Sequence, residues 1–243
     1  MEINQNIAEY YDELYPVTAE QKVFYEKKME LFKRPVKLLT IGCGTGTFEH
    51  NLARDGADVT GLETSQELLE SANRKRRTQL MSVRYFQMSS LEMIRFLGRG
   101  FYNVVSILHS RIIFTHDKTL MEKLFYDCRQ LLCDGGQLVI SLVNFNKYKN
   151  STKFELPLRE SIRSSLYSLI EERGEECYLN QILENSSGKK IPVTEDAPVY
   201  LLQKDEIELF AKKAGFSKTE FFSDFSGNAF SENSDEIVAV IST

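Results

Sequence analysis

Val36-Lys37-Leu38-Leu39-Thr40-Ile41-Gly42-Cys43-Gly44-Thr45-Gly46 is the stretch whose reading decides the fold. A short apolar run ends at Ile41 and three alternating glycines follow. Phe48-Glu49-His50-Asn51-Leu52-Ala53-Arg54 then has helical spacing and stops at Asp55-Gly56. The pattern predicts a buried strand, a tight turn and a helix. Glycine allows the sharp turn and lets a ligand approach where a side chain would block it. The free N–H groups at the start of the helix face that ligand.

The alternation of strand and helix continues downstream. Asp58 to Glu63 reads as a second short strand ending in a carboxylate, and Ser65 caps a helix carrying Leu68, Leu69 and Ala72. Val83 to Gln87 predicts a third strand and Phe101 to His109 a fourth, apolar enough to be central. A helix from Asp117 to Leu132 follows, and Asp134-Gly135-Gly136 turns into a fifth strand, Gln137 to Val143. Asn144 to Leu202 breaks the alternation with mixed apolar and polar stretches around the turn Asn185-Ser186-Ser187-Gly188. It predicts a small inserted antiparallel sheet, with a helix near Ser161 to Glu172. Lys204 to Ala214 reads as a helix capped by Gly215, and Phe216 to Phe222 with Asp235 to Ile241 as a closing pair of strands. Ahead of the glycine loop, Ile7 to Phe32 predicts two helices broken at Tyr15-Pro16, the second capped by Thr18. The whole predicts one α/β domain over 1–243, a doubly wound seven-stranded sheet with its last strand antiparallel. Residues 1–34 form a helical cap and 144–202 an inserted β lid.

Composition sets outer bounds. The chain has 243 residues, 42% hydrophobic, enough for a large core. No apolar run is long enough to cross a bilayer, and Met1 to Asn6 lacks the basic and apolar regions of a secretion signal. A formal net charge of −5 argues against nucleic acid as the main partner. The four cysteines, Cys43, Cys128, Cys133 and Cys177, form no C-x-x-C pair, which argues against zinc or a disulfide framework and for reduced thiols in a cytoplasm.

Nicotinamide-binding domains use G-x-G-x-x-G, whereas here the third glycine comes one residue early, as G-x-G-x-G. That loop, the acid Glu63, the fourth strand, the Leu-x-x-Gly-Gly turn and the late Ala214-Gly215-Phe216 together resemble class I S-adenosylmethionine (SAM)-dependent methyltransferases, from about Val36 to the end. The insertion before the last helix looks most like the small-molecule subgroup of the glycine and sarcosine N-methyltransferase type. The resemblance implies SAM as cofactor, held by Thr40, Gly42, Cys43, Gly44, Gly46, Glu63, Thr64, Met88, Ser89 and Leu108. It implies that Glu63 accepts from the ribose hydroxyls. Tyr-Asp-x-Leu-Tyr, with Tyr11, resembles the N-terminal cap that closes over the methionine end. Two positions depart from the pattern. Thr40 stands where the first strand normally ends in an acid that pairs with the cofactor's amino group, and Ser89 replaces the acid that reads adenine. A charge-assisted hydrogen bond contributes about 1.5–3 kcal/mol against about 1 for a neutral one. Each swap is therefore expected to weaken binding about tenfold unless another group compensates.

Methyl transfer is an in-line displacement that needs alignment and exclusion of water, and a base only when the nucleophile arrives protonated. His109, just after the fourth strand, is the candidate base or acceptor contact; His116 lies nearer a helix start. Arg111 reads as a surface arginine, with a hold on an acceptor carboxylate as the other possibility. The reading is transfer of a methyl group to a small-molecule N or O nucleophile. The rivals are a non-catalytic SAM-binding or interaction protein, motivated by Thr40 and Ser89, and an RNA or protein methyltransferase, motivated by Arg74-Lys75-Arg76-Arg77.

Overall fold

A computed structural model describes residues 6–77 and 82–243. The signal-type reading of Met1 to Asn6 and the first residues of the 1–34 cap fall largely outside them. Five strands follow the predicted alternation: β1 (Lys37–Ile41), β2 (Asp58–Glu63), β3 (Val83–Gln87), β4 (Tyr102–Ile107) and β5 (Leu132–Val143). The helices between them are α3 (Thr47–Arg54), α4 (Gln66–Arg77), the single turn α5 (Met93–Phe96) and α6 (Lys118–Leu131). Two helices precede β1, namely α1 (Tyr11–Leu14), only one turn long, and α2 (Ala19–Met29), where Thr18 Oγ1 accepts from Gln21 N at 3.2 Å. After the second sheet come α7 (Lys204–Ala214), closed by Gly215 at φ 86°, then β11 (Lys218–Phe222) and β12 (Glu236–Ser242).

The seven-stranded sheet runs β11-β12-β5-β4-β1-β2-β3. β1 to β5 pair in parallel, and β12 runs antiparallel to both β5 and β11. Strand order reverses between β1 and β4. Their carboxyl ends therefore open a crevice there, where ligands of such sheets bind. β1, β4 and the end of β5 are buried along nearly their whole length, which is why they read as continuous apolar runs. One core layer packs Leu39, Val105, Ile140 and Ala239 against α6 and α7. The other packs Leu38, Val104 and Val240 against α2 and α3.

The second sheet comprises β6 (Lys153–Glu155), β7 (Arg159–Glu160), β8 (Ser164–Arg173), β9 (Glu176–Asn185) and β10 (Lys190–Val199), all paired antiparallel. The expected helix at Ser161 to Glu172 is instead β8. Leu166, Leu169 and Ile170 fit a helical spacing, but Ser164, Leu166, Ser168 and Ile170 are the buried residues, a period of two fixed by pairing with β9. A second difference lies at Asp134-Gly135-Gly136. β5 already begins at Leu132, and the two glycines mark a register shift within the strand rather than a turn before it. Ile170, Leu179 and Val199 join the main core, and Leu166, Leu183 and Val193 cluster with Ile7, Tyr11 and Leu14.

Gly61, in the middle of β2, has no room for a side chain: a Cβ would sit 2.7 Å from the Tyr85 ring and 2.8 Å from Cys43 Sγ. Gly61→Ala should destabilise the fold by about 1–3 kcal/mol, the usual cost of overpacking, measured as a lower urea midpoint with unchanged slope.

Candidate active site

The glycine loop is held from both sides. Gly42 N and Cys43 N both donate to Leu62 O, at 2.8 and 2.9 Å. Gly42, Gly44 and Gly46 have φ values of 77°, 58° and 77°, the left-handed region that disfavours any side chain. Glu63, 4% exposed, gathers three amides: Oε2 accepts from Gly44 N at 2.9 Å, and Oε1 from Thr64 N at 2.8 Å and Ser65 N at 3.0 Å. A carboxylate has about four acceptor positions, so most of Glu63's capacity ties the loop to the end of β2.

Two cavities open on this floor. The loop cavity, about 190 Å³, brings together Gly42, Glu63, Thr64, Met88 and Ser89 with Ile41, Leu62 and Phe114. A narrow cleft of about 20 Å³ lies beneath α1 and is lined by Tyr11, Thr40, Gly42, Cys43, Glu49, Leu108 and His109. Gly44 and Gly46 line neither. A Cβ at Gly44 would meet the Tyr11 ring at 2.3 Å, and one at Gly46 the Tyr85 hydroxyl at 2.3 Å. The space over these glycines is filled by tyrosines of the same chain, so Gly44 serves the approach of Tyr11.

The expectation of a surface Arg111 is overturned. His109 and Ser110 turn the chain with φ of 54° and 58°. β5 pins that turn: His109 N donates to Ser141 Oγ at 3.0 Å, Ser110 N to Ser141 O at 2.9 Å, and Val143 N to Ser110 Oγ at 3.0 Å. Arg111 is thereby folded back over Gly42, whose missing Cβ would lie 3.0 Å from Arg111 Cγ. Its guanidinium donates to Tyr11 Oη at 3.0 Å and faces the Tyr11 and Tyr15 rings. Burial, against the pull of Arg111, pushes the Tyr11 phenol up to about 12, so it stays a neutral acceptor for that bond.

A third cavity, about 210 Å³, lies on the other side of Arg111, between the 109–114 turn and the second sheet. Its polar lining comprises His109, Arg159, Ser168, Gln181 and Glu236. Arg159 lies 4.6 Å over the Tyr15 ring and 4.0 Å from Glu236. Gln181 donates to Ser168 Oγ at 2.9 Å and accepts from Thr194 Oγ1 at 2.9 Å. Burial, then the charges of Arg159 and Arg111, push the His109 imidazole down to about 3. His109 is therefore a neutral ring against Tyr15, well placed to hydrogen-bond and poor at taking a proton. His116 lines the loop cavity.

Glu49 is the residue that sequence reasoning passes over. It is 1% exposed, and neither carboxylate oxygen has a partner in hydrogen-bonding geometry. Its signal was available: spacing puts it on the same face of α3 as Leu52 and Ala53, an acid on an apolar stripe. Arg159, Gln181 and Glu236 give no local signal. Of the basic run at the end of α4, Lys75 bonds Asp12 and Thr47, each at 2.5 Å, beside the loop; the side chain of Arg77 lies outside the described residues.

Residues 38–136 match a methyltransferase domain family model. A protein of Geobacillus sp. (strain WCH70), provisionally named a methyltransferase, is 26% identical over 97% of this chain and 98% of its own length. The ubiquinone biosynthesis O-methyltransferase of Pectobacterium carotovorum is 30% identical, but over 45% of this chain and 44% of its own. Among solved structures, the methyltransferase CcbJ of Streptomyces caelestis superposes with a TM-score of 0.80 at 20% identity, covering 98% of this chain and 96% of that one. SAM-bound CalS10, an amino pentose methyltransferase of Micromonospora echinaspora, gives 0.67 at 16%, covering 99% and 98%. Residues 38–136 carry a methyltransferase domain. The residues present suit SAM as cofactor: a carboxylate with acceptor capacity at the end of β2, a cavity of mixed polar and apolar lining beside it, and a second, unpartnered carboxylate at the cleft beneath α1.

Burial pushes the Glu49 carboxyl from 4.5 up to about 7, with Thr40 and its own backbone amide pulling the other way. Between those values the folded chain keeps a proton that the unfolded chain has lost. Stability therefore falls as pH rises through this window and levels off above about 7. The loss is on the order of 3 kcal/mol. In the ligand-free protein, Glu49→Gln should melt higher than wild type at pH 8, with the gap closing at pH 5, read by calorimetry.

Proposed function

We propose that this methyltransferase acts on a small-molecule N or O nucleophile bound beneath the second sheet. The observation that carries the reading is the 210 Å³ cavity adjoining the loop cavity, with Arg111 and Phe114 lining both. In this reading residues 1–243 act as one catalytic domain, with 1–34 as the cap and 144–202 as the cover of the acceptor site. An inserted sheet leaving the carboxyl end of β5 reaches over the crevice on the loop side. Its apolar lining, Leu156, Leu158 and Leu179, excludes water and selects by size.

SAM, when bound, supplies an electrophilic methyl group. Glu63 takes a ribose hydroxyl with the acceptor capacity left by the three amides. Gly42, Thr64, Met88 and Ser89 frame the adenosine, and Tyr11, Thr40, Cys43 and Leu108 enclose the methionine end. Arg159 and Glu236 orient the acceptor through its polar groups. His109 holds it by a hydrogen bond, and the neutral ring suits a nucleophile that arrives with a free lone pair, such as an unprotonated amine. Solved neighbours described as a sugar N-methyltransferase and an amino pentose methyltransferase support a small polar acceptor, and the O-methyltransferase relatives support a hydroxyl. Commitment of Lys75 to Asp12 and Thr47 favours this over an RNA acceptor. Free thiols at all four cysteines support the cytoplasmic reading, and no helix among the described residues is long and apolar enough to cross a membrane.

Production of S-adenosylhomocysteine should occur with members of a panel of amine and hydroxyl metabolites and not with RNA or protein; turnover confined to RNA or protein would refute the proposal. Arg159→Ala should raise the acceptor KM about tenfold, roughly 1.4 kcal/mol, with S-adenosylhomocysteine affinity unchanged. Glu63→Ala should weaken S-adenosylhomocysteine binding tenfold or more, from about 1.5–3 kcal/mol per charged hydrogen bond. Unchanged affinity in calorimetry would make Glu63 a purely structural clamp.

A further inference from the structure

We propose that Glu49 receives the α-ammonium at the methionine end of the cofactor, supplying from α3 the negative charge that β1 lacks at Thr40. The inference rests on the cofactor placement proposed above and adds the group that reads its amino nitrogen.

A carboxylate with 1% exposure and two oxygens without partners is among the costliest groups a fold can hold. The nearby groups relieve it only in part: the Thr40 hydroxyl and the Glu49 backbone amide favour the ionised form, but neither sits in hydrogen-bonding geometry. Tyr25 on α2, Cys43 in the loop and Tyr85 on β3 are neutral, with burial raising each further. Glu63 on β2 adds a like charge. Lys75 on α4 is the cation whose field reaches Glu49, and its ammonium is bonded to Asp12 and Thr47. The Thr40 hydroxyl, at the same cleft, also lacks a partner.

The position selects the occupant. Glu49 and Thr40 line the narrow cleft beneath the cap, and Gly42 belongs to both that cleft and the loop cavity. A ligand with its adenosine beside Glu63 extends its amino-acid end past Gly42 toward Glu49. Of that end, the carboxylate would be repelled and the sulfonium has no N–H to donate. The ammonium carries a positive charge and three donors, which match two orphaned oxygens and a hydroxyl. Burial holds the carboxyl protonated up to about pH 7 in the ligand-free chain. An arriving ammonium favours the ionised form, so the carboxyl O–H bond breaks and its proton passes to solvent as the ion pair forms.

The test compares two ligands by isothermal titration calorimetry: S-adenosylhomocysteine, and 5′-methylthioadenosine, which keeps the adenosine and thioether but has no amino-acid end. Glu49→Gln should weaken S-adenosylhomocysteine at least tenfold and leave methylthioadenosine within about twofold, a tenfold change being 1.4 kcal/mol. Glu49→Leu, which fills the same space without polar atoms, should show the same selectivity. In wild type at pH 6.5, S-adenosylhomocysteine should release roughly three-quarters of a proton, read from the dependence of binding enthalpy on buffer ionisation, and methylthioadenosine none. Equal weakening of both ligands, or selective weakening without proton release in wild type, would overturn the assignment. Failure of wild type to bind either ligand would remove the cofactor placement itself, and the inference with it.

Discussion

Three backbone amides, from Gly44, Thr64 and Ser65, converge on one buried carboxylate, Glu63. The amides belong to two chain segments that the sheet brings side by side, the loop after β1 and the turn after β2. Each amide would otherwise be a donor with nothing to bond in a part-buried place. The left-handed glycines set the loop's shape, but the carboxylate fixes it against its neighbour. The Leu62 carbonyl completes the clamp from behind by accepting Gly42 and Cys43. Everything that faces the crevice is placed relative to this joint: the cavity beside Met88 and Ser89, the cleft over Thr40, and the stacking of Tyr11 on Gly44.

Arg111 is the second organising element, and it depends on β5 rather than on its own strand. Two consecutive residues with positive φ cost backbone energy, which the three hydrogen bonds to Ser141 and Val143 offset. The turn swings a long cationic side chain back over the loop instead of out to water. A planar guanidinium flanked by Tyr11 and Tyr15 stays charged in a half-buried place because the ring faces and the Tyr11 oxygen replace part of its hydration. The same charge, with that of Arg159, keeps His109 neutral.

The fold was legible where burial is two-sided or periodic. β1, β4 and the end of β5 are buried along nearly their whole length, and α6 and α7 carry clear stripes, so their order follows from the chain. β8 was not legible as a strand, because Leu166, Leu169 and Ile170 satisfy either period until pairing with β9 decides. In the site, the placement of Glu63 was readable because it depends only on where β2 ends. The positions of Gly44 and Gly46 were readable as turns, while the tyrosines that fill the space above them come from α1 and β3. Arg111 was misread because two residues in an unusual conformation redirect it, and no local pattern announces them. Arg159, Gln181 and Glu236 lie on β7, β9 and β12, and only the topology makes them neighbours. Glu49 did leave a mark, an acid among apolar positions of α3, but an acid on a short helix is ordinarily assigned to solvent.

Ile7, Tyr11 and Leu14 share one apolar cluster with Leu166, Leu183 and Val193, and Arg163 reaches from the second sheet to Glu13 at 2.6 Å and Glu9 at 3.2 Å. Cap and second sheet are therefore one mechanical unit, although some hundred and fifty residues of chain separate them. Lifting α1 from the glycine loop strips the apolar underside of β8 and β9, and tilting that sheet withdraws Tyr11 from Gly44. Segments with few buried contacts open cheaply and often, whereas a unit that must break a shared cluster opens rarely and all at once. The contact that holds the second sheet in place is thus the same one that holds Tyr11 over the narrow cleft.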